Sequence, residues 1–197
     1  GKQVDSWHMK GCDQIYKKII DSTSTKDHAT LTILIHWVTT DGVVFIEESR
    51  TQTFKRIEAK GAYLQVDFDT VLKAVSADVE LNGDPEHAGC QFRPSDEVSK
   101  NKSAKYIFHK DGLDLKKDKD LPWAAESFQI GDKMYFAQHM SHPTIPKGNT
   151  YSAYRDYGRF GAYFVKKIAK GDSLNLRYRY LVGNGKIPGR DYFTARY

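Results

Sequence analysis

Residues 29–57 read ATLTILIHWVTTDGVVFIEESRTQTFKRI, and this stretch decides the fold class. Leu31, Ile33, Ile35 and Trp37 fall on one side of an extended chain, with Thr30, Thr32, Leu34 and His36 on the other. A period of two in β-branched and aromatic residues marks a half-buried strand. Asp41-Gly42 comes next, and an Asp-Gly pair accepts positive φ at little cost, so it joins two antiparallel strands in a hairpin. The return strand, 43–57, sets Val44, Ile46 and Glu48 against Phe45, Glu47 and Ser49.

The same pattern spreads outward in both directions. Strands are predicted at 14–21, 63–68, 71–81 and 87–93, the last closed by Pro94. Two further hairpins are predicted, 105–109 with 113–117 around Asp111-Gly112 and 127–130 with 133–140 around Gly131-Asp132. Strands at 163–168 and 173–183 flank Lys170-Gly171-Asp172, and 188–197 begins a helix with few residues to complete it. About ten short strands separated by Gly-containing turns, with no long helical period, argue for an all-β antiparallel sandwich. With no repeat or linker, the 197 residues form one domain.

Composition excludes several functions. No apolar run approaches the length needed to cross a bilayer. The net charge of +5 does not form a basic face, because Asp111, Asp114, Asp118 and Asp120 interleave with the lysines of 100–119. A nucleic-acid partner is therefore not expected. Cys12 and Cys90 are enough for one disulfide but have no metal-binding spacing, and free buried thiols are the expectation. The chain lacks a Gly-rich nucleotide loop, a Gly-x-Ser-x-Gly elbow and a Cys-x-x-Cys pair, and no cofactor is expected.

The candidate chemistry gathers in 139–164, HMSHPTIPKGNTYSAYRDYGRFGAYF, a long connection rich in histidine, arginine and tyrosine. Connections of this length are functional or disordered, and the aromatic content argues for order. His139 and His142 are suited to acid–base work near neutral pH. Alternatively, one of them hydrogen-bonds backbone in a turn fixed by Pro143. A metal would need a third ligand, such as His87 or Glu126. His87, Gln91 and Arg93 would share one face of an uninterrupted strand, as part of a site or of an exposed sheet face. Tyr154, Arg155, Tyr157 and Arg159 form the densest polar-aromatic cluster, holding either a ligand or the loop itself. Trp123 and Glu126 would supply a stacking plate and a carboxylate.

Residues 152–164, SAYRDYGRFGAYF, with the following 170–180, KGDSLNLRYRY, resemble the bacterial PmoA-like family of unknown function, whose members are commonly labelled methane oxygenase PmoA. Residues 87–93 (HAGCQFR), the Trp37–Glu47 hairpin and 139–143 (HMSHP) match it too. The oxygenase label does not transfer, because that enzyme subunit is an integral membrane protein. The resemblance implies a β-sandwich similar to the galactose-mutarotase supersandwich, in periplasmic or secreted proteins that accompany polysaccharide breakdown. It also implies a further N-terminal portion with a His-His-Arg-Gly-like motif, ahead of the tryptophan matched by Trp7. The functional expectation is a sugar or glycoside held in a cleft walled by 139–159. His139, His142 or His87 would be the acid and Glu126 the base, and Arg155, Arg93, Trp123, Tyr154, Tyr157 and Arg159 would bind substrate. The competing readings are a non-catalytic sandwich and a metal-dependent enzyme built on the histidines.

Overall fold

A computed structural model describes residues 2–59 and 61–197. The chain runs β1 (Cys12–Ser24), β2 (His28–Thr39), β3 (Val44–Ala59), β4 (Ala62–Ala74), β5 (Val79–Leu81), β6 (Cys90–Phe92), α1 (Asp96–Asn101), β7 (Lys105–Phe108), β8 (Trp123–Ile130), β9 (Lys133–Ser141), β10 (Thr150–Tyr151), β11 (Phe160–Tyr163), β12 (Lys166–Ile168), β13 (Ser173–Asn184) and α2 (Arg190–Thr194). Eight strands form one sheet in the order β1-β2-β3-β4-β13-β9-β8-β7, every pair antiparallel. A three-stranded sheet, β10-β11-β6, and a two-stranded sheet, β12-β5, complete an all-β fold.

The opening hairpin forms as its sequence dictates. Gly42 adopts φ of 83°, and Trp37 pairs with Ile46, with a bulge before Val38 meets Val44. Because the side-chain period is two, this register places Trp37, Ile46, Glu48 and Arg50 on one face, and Phe68, Thr70 and Leu72 of β4 join them. The small sheets pack on that inner face, burying Ile46, Leu72, Tyr151, Phe160, Phe164, Ile168, Leu176 and Tyr178 in one cluster. The outer face of β8, β9 and β13 buries Trp123, Phe136, Met140 and Leu181 under Phe193 of α2.

Several expected elements differ. Residues 63–68 and 71–81 divide at a different place: β4 runs unbroken to Ala74, paired on both edges, with Asp69 outward beside Arg177 and Thr70 inward on Glu48, and 79–81 form β5 in another sheet. The expected strand at 113–117 is a turn, in which the Asp114 carbonyl accepts from the Lys117 and Asp118 amides; β7 pairs with β8 instead. The expected strand at 87–93 shrinks to β6, because the His87 and Ala88 amides donate to the Asp84 carbonyl in a turn. Residues 163–168 divide between β11 and β12, which belong to different small sheets. Helix α1 was not legible as a period. It is set by its cap: Ser95 accepts from the Glu97 amide, Asp96 and Glu97 occupy the first turn, and Lys102 ends it at φ of 53°.

Candidate functional site

The strand register puts a carboxylate and a guanidinium side by side on the inner face. Glu48 is buried, and its Oε1 accepts from Arg50 Nε at 2.7 Å and from Thr70 Oγ1 at 2.8 Å. Its Oε2 accepts from Trp37 Nε1 at 2.8 Å and from Arg50 Nη2 at 3.0 Å. Four hydrogen bonds satisfy a carboxylate whose burial would otherwise be costly, and the bidentate fork fixes the guanidinium. Arg50 also lies over the Phe68 ring, 5.7 Å from its centroid.

This arrangement floors a cleft of about 400 Å³. Trp37, Phe68 and Tyr178 supply its aromatic surface, Gln14, Asn82 and Gln91 its neutral polar groups, and Glu48 its one carboxylate. One wall is the turn carrying His87. It lies backbone against backbone on β11: a Cβ on Gly89, at φ of 82°, would fall 2.0 Å from the Ala162 carbonyl oxygen, and one on Gly161 would fall 2.0 Å from that of Cys90. Only glycine permits this approach at both places. Cys90 faces Tyr180, its Sγ 3.0 Å from the hydroxyl, and burial pushes the thiol up to about 11. The N-terminal segment borders the cleft through Ser6 and Trp7.

The residues nominated from sequence fall in several separate environments. His87 lines the cleft, with Nδ1 3.2 Å from Asp84 Oδ2 and its ring 5.2 Å from that of Trp7. Trp7 in turn lies under the Arg159 guanidinium, 5.0 Å from its ring centroid, and Tyr157 flanks the same guanidinium at 5.2 Å, its hydroxyl accepting from Arg159 Nη2 at 2.9 Å. Arg155 pairs with Glu86, which Tyr154 also reaches at 3.1 Å; the guanidinium holds the Glu86 carboxyl below its ordinary range. This cluster locks the 154–159 segment to the 84–87 turn.

The other nominated residues lie elsewhere. His139 is completely buried between Tyr151, Tyr178, Tyr180 and Phe160, its Nδ1 2.9 Å from the Tyr151 hydroxyl. Burial drives its pKa down to about 3. Glu126 is equally buried, facing Gly158 and Tyr106, with neither oxygen hydrogen-bonded, and burial raises its pKa to about 9. His142 bonds Thr144 at 2.8 Å and lines a separate depression with Asp67, Asp69, Arg177 and Arg179. Two expected placements are corrected. Trp123 is no stacking plate, because it is 1% exposed and packs on Phe193 at 5.7 Å. Arg93 does not share a strand face with His87; it is exposed and pairs with Asp96 at 3.0 Å. Among the described residues no group of three or more His, Cys, Asp or Glu side chains is placed to hold a metal, and both cysteines are free. No helix is long and apolar enough to cross a membrane.

Glu48, Arg50 and Thr70 were missed by the sequence reading. The signal was present: two opposite charges at inward positions of an alternating strand, two and four residues beyond Ile46.

Residues 2–192 match a family of unknown function, DUF6807. The chain belongs to that family. A search of curated proteins returns no match for this DUF6807 member.

Proposed function

We propose that this chain binds a neutral sugar or glycoside in the cleft floored by Glu48 and Arg50. The observation that carries this reading is charge cancellation: the central carboxylate and guanidinium satisfy each other, and around them lie aromatic rings, neutral polar groups, the aliphatic Leu72, Leu81 and Leu176, and His87. Such a surface offers little net field to an anion, yet gives flat rings for sugar C–H faces and convergent hydrogen-bonding groups for hydroxyls. The resemblance of residues 152–164 and 170–180 to PmoA-like proteins, which implies a mutarotase-like sandwich, supports the same ligand class.

Binding is favoured over hydrolysis. Retaining and inverting glycosidases use two carboxylates flanking the scissile bond, and a single carboxylate, itself fully hydrogen-bonded, lines this cleft. Of the four groups nominated as acid or base, His87 borders it, so a proton relay with Glu126 or His139 has no path through the ligand.

The test is a titration of the purified chain with neutral saccharides and with the matching uronic acids. Neutral sugars are expected to bind, and Gln14→Ala, which removes a neutral polar side chain of the lining, is expected to weaken them about tenfold, as is usual for losing an oriented polar contact. A preference for the uronic acids, or no saccharide binding at all, would overturn the proposal.

A further inference from the structure

A second cavity, of about 820 Å³, adjoins the cleft. The two share Ser6, Trp37, Leu81 and Asn82, so they are neighbouring compartments of one groove with Trp37 at the junction. Glu48 fixes the indole from one side, and Phe45 meets it edge-on at 6.4 Å from the other. The ring is therefore held at the boundary by contacts from both compartments. Ser6 of the N-terminal segment and Asn82, just past β5, border both compartments, so these walls run on from one cavity into the other.

From these observations we infer that the ligand is an oligomer, one unit in the Glu48–Arg50 cleft and further units in the second cavity beyond Trp37. This deepens the sugar-binding reading and rests on it. Two features support it. First, pockets that hold a single compact ligand span roughly 300–1,000 Å³, and the first compartment alone falls in that range, so one sugar leaves the second unfilled. Second, among the described residues two of the three charges bordering the second cavity are paired, Lys2 with Asp41 at 3.4 Å and Glu80 with Lys167 at 3.5 Å, while the third is a carboxylate, Asp78, which accepts from the Lys170 amide at 2.8 Å. No unpaired cation among the described residues therefore borders the second cavity, which suits a neutral oligosaccharide and disfavours an acidic polymer.

The experiment is calorimetric titration of the chain with gluco-, xylo- and manno-oligosaccharides, from single sugars to hexamers. Affinity is expected to rise at least about tenfold between the monosaccharide and the trimer of the series that binds. Ala77→Trp places a bulky ring in the second cavity from an exposed turn position. It is expected to abolish that gain while leaving monosaccharide affinity unchanged. Equal affinity at every length, or a length dependence untouched by Ala77→Trp, overturns the oligomer inference and leaves sugar binding intact. Absence of binding at every length, in a chain whose circular dichroism is that of a folded β protein, removes both.

Discussion

Glu126 and His139 occupy adjacent strands on the inner face and pull stability in opposite directions with pH. Glu126 keeps its proton in the folded chain up to about 9 but loses it near 4.5 when unfolded, so between these values the unfolded state binds fewer protons and stability falls as pH rises. His139 stays neutral in the folded chain down to about 3 but is protonated below 6.5 when unfolded, so stability falls as pH drops through that window. The two slopes cancel between 4.5 and 6.5. Glu126→Gln should therefore remove an alkaline loss and leave the variant more stable than the parent by roughly 2 kcal/mol or more near pH 8, with little difference near pH 4. Urea melts across pH check this, and parallel curves for variant and parent would contradict it. In the same melts His139→Gln should flatten the acid side alone.

At the scale of elements, α2 is short, yet it covers the outer face of three strands. Phe193 is wholly buried against Trp123 and Phe136, and its carbonyl accepts from Gln138 Nε2 at 2.8 Å. Phe193→Ala should cost about 3–5 kcal/mol, the usual range for emptying a buried aromatic site, read from denaturant midpoints. The α2 start near residue 188 was legible because Pro188 and Gly189 precede it, and β2 and β3 were legible because alternation and Asp41-Gly42 act locally. What the sequence concealed depends on partners distant along the chain. Thr70 reads as part of a break between two strands until Glu48 accepts its hydroxyl, and Leu113 and Leu115 alternate like a strand although both pack on the core from a turn. His139 reads as a proton donor because its residue type suits that work, but burial between tyrosines is decided by the pairing of β9 with β13. The cluster at 154–159 was legible as a cluster; that its arginines meet Glu86, Trp7 and Tyr157 follows only from the fold.

At the scale of the whole molecule, the covalent state turns on two cysteines. Cys12 and Cys90 are free, and burial raises both thiols above their ordinary value. Because the thiolate is the reacting species, a thiol reagent at neutral pH should leave both cysteines largely unmodified in the native protein and label both once denaturant unfolds it. Mass spectrometry before and after the transition reads this. Reductant should leave the melting temperature unchanged, and a downward shift would show that a disulfide does form.

Of the three tryptophans, Trp123 is sealed in the outer-face core, whereas Trp7, 42% exposed, and the partly buried Trp37 border the cleft. The indoles thus divide into one that senses global unfolding and two that sense the groove. Acrylamide should quench Trp7 in the free protein and spare Trp123, and an occupied cleft should shield Trp7 and change the emission of Trp37 while its hydrogen bond to Glu48 persists. The molecule carries its own optical readout of whether the groove is filled, with no label attached.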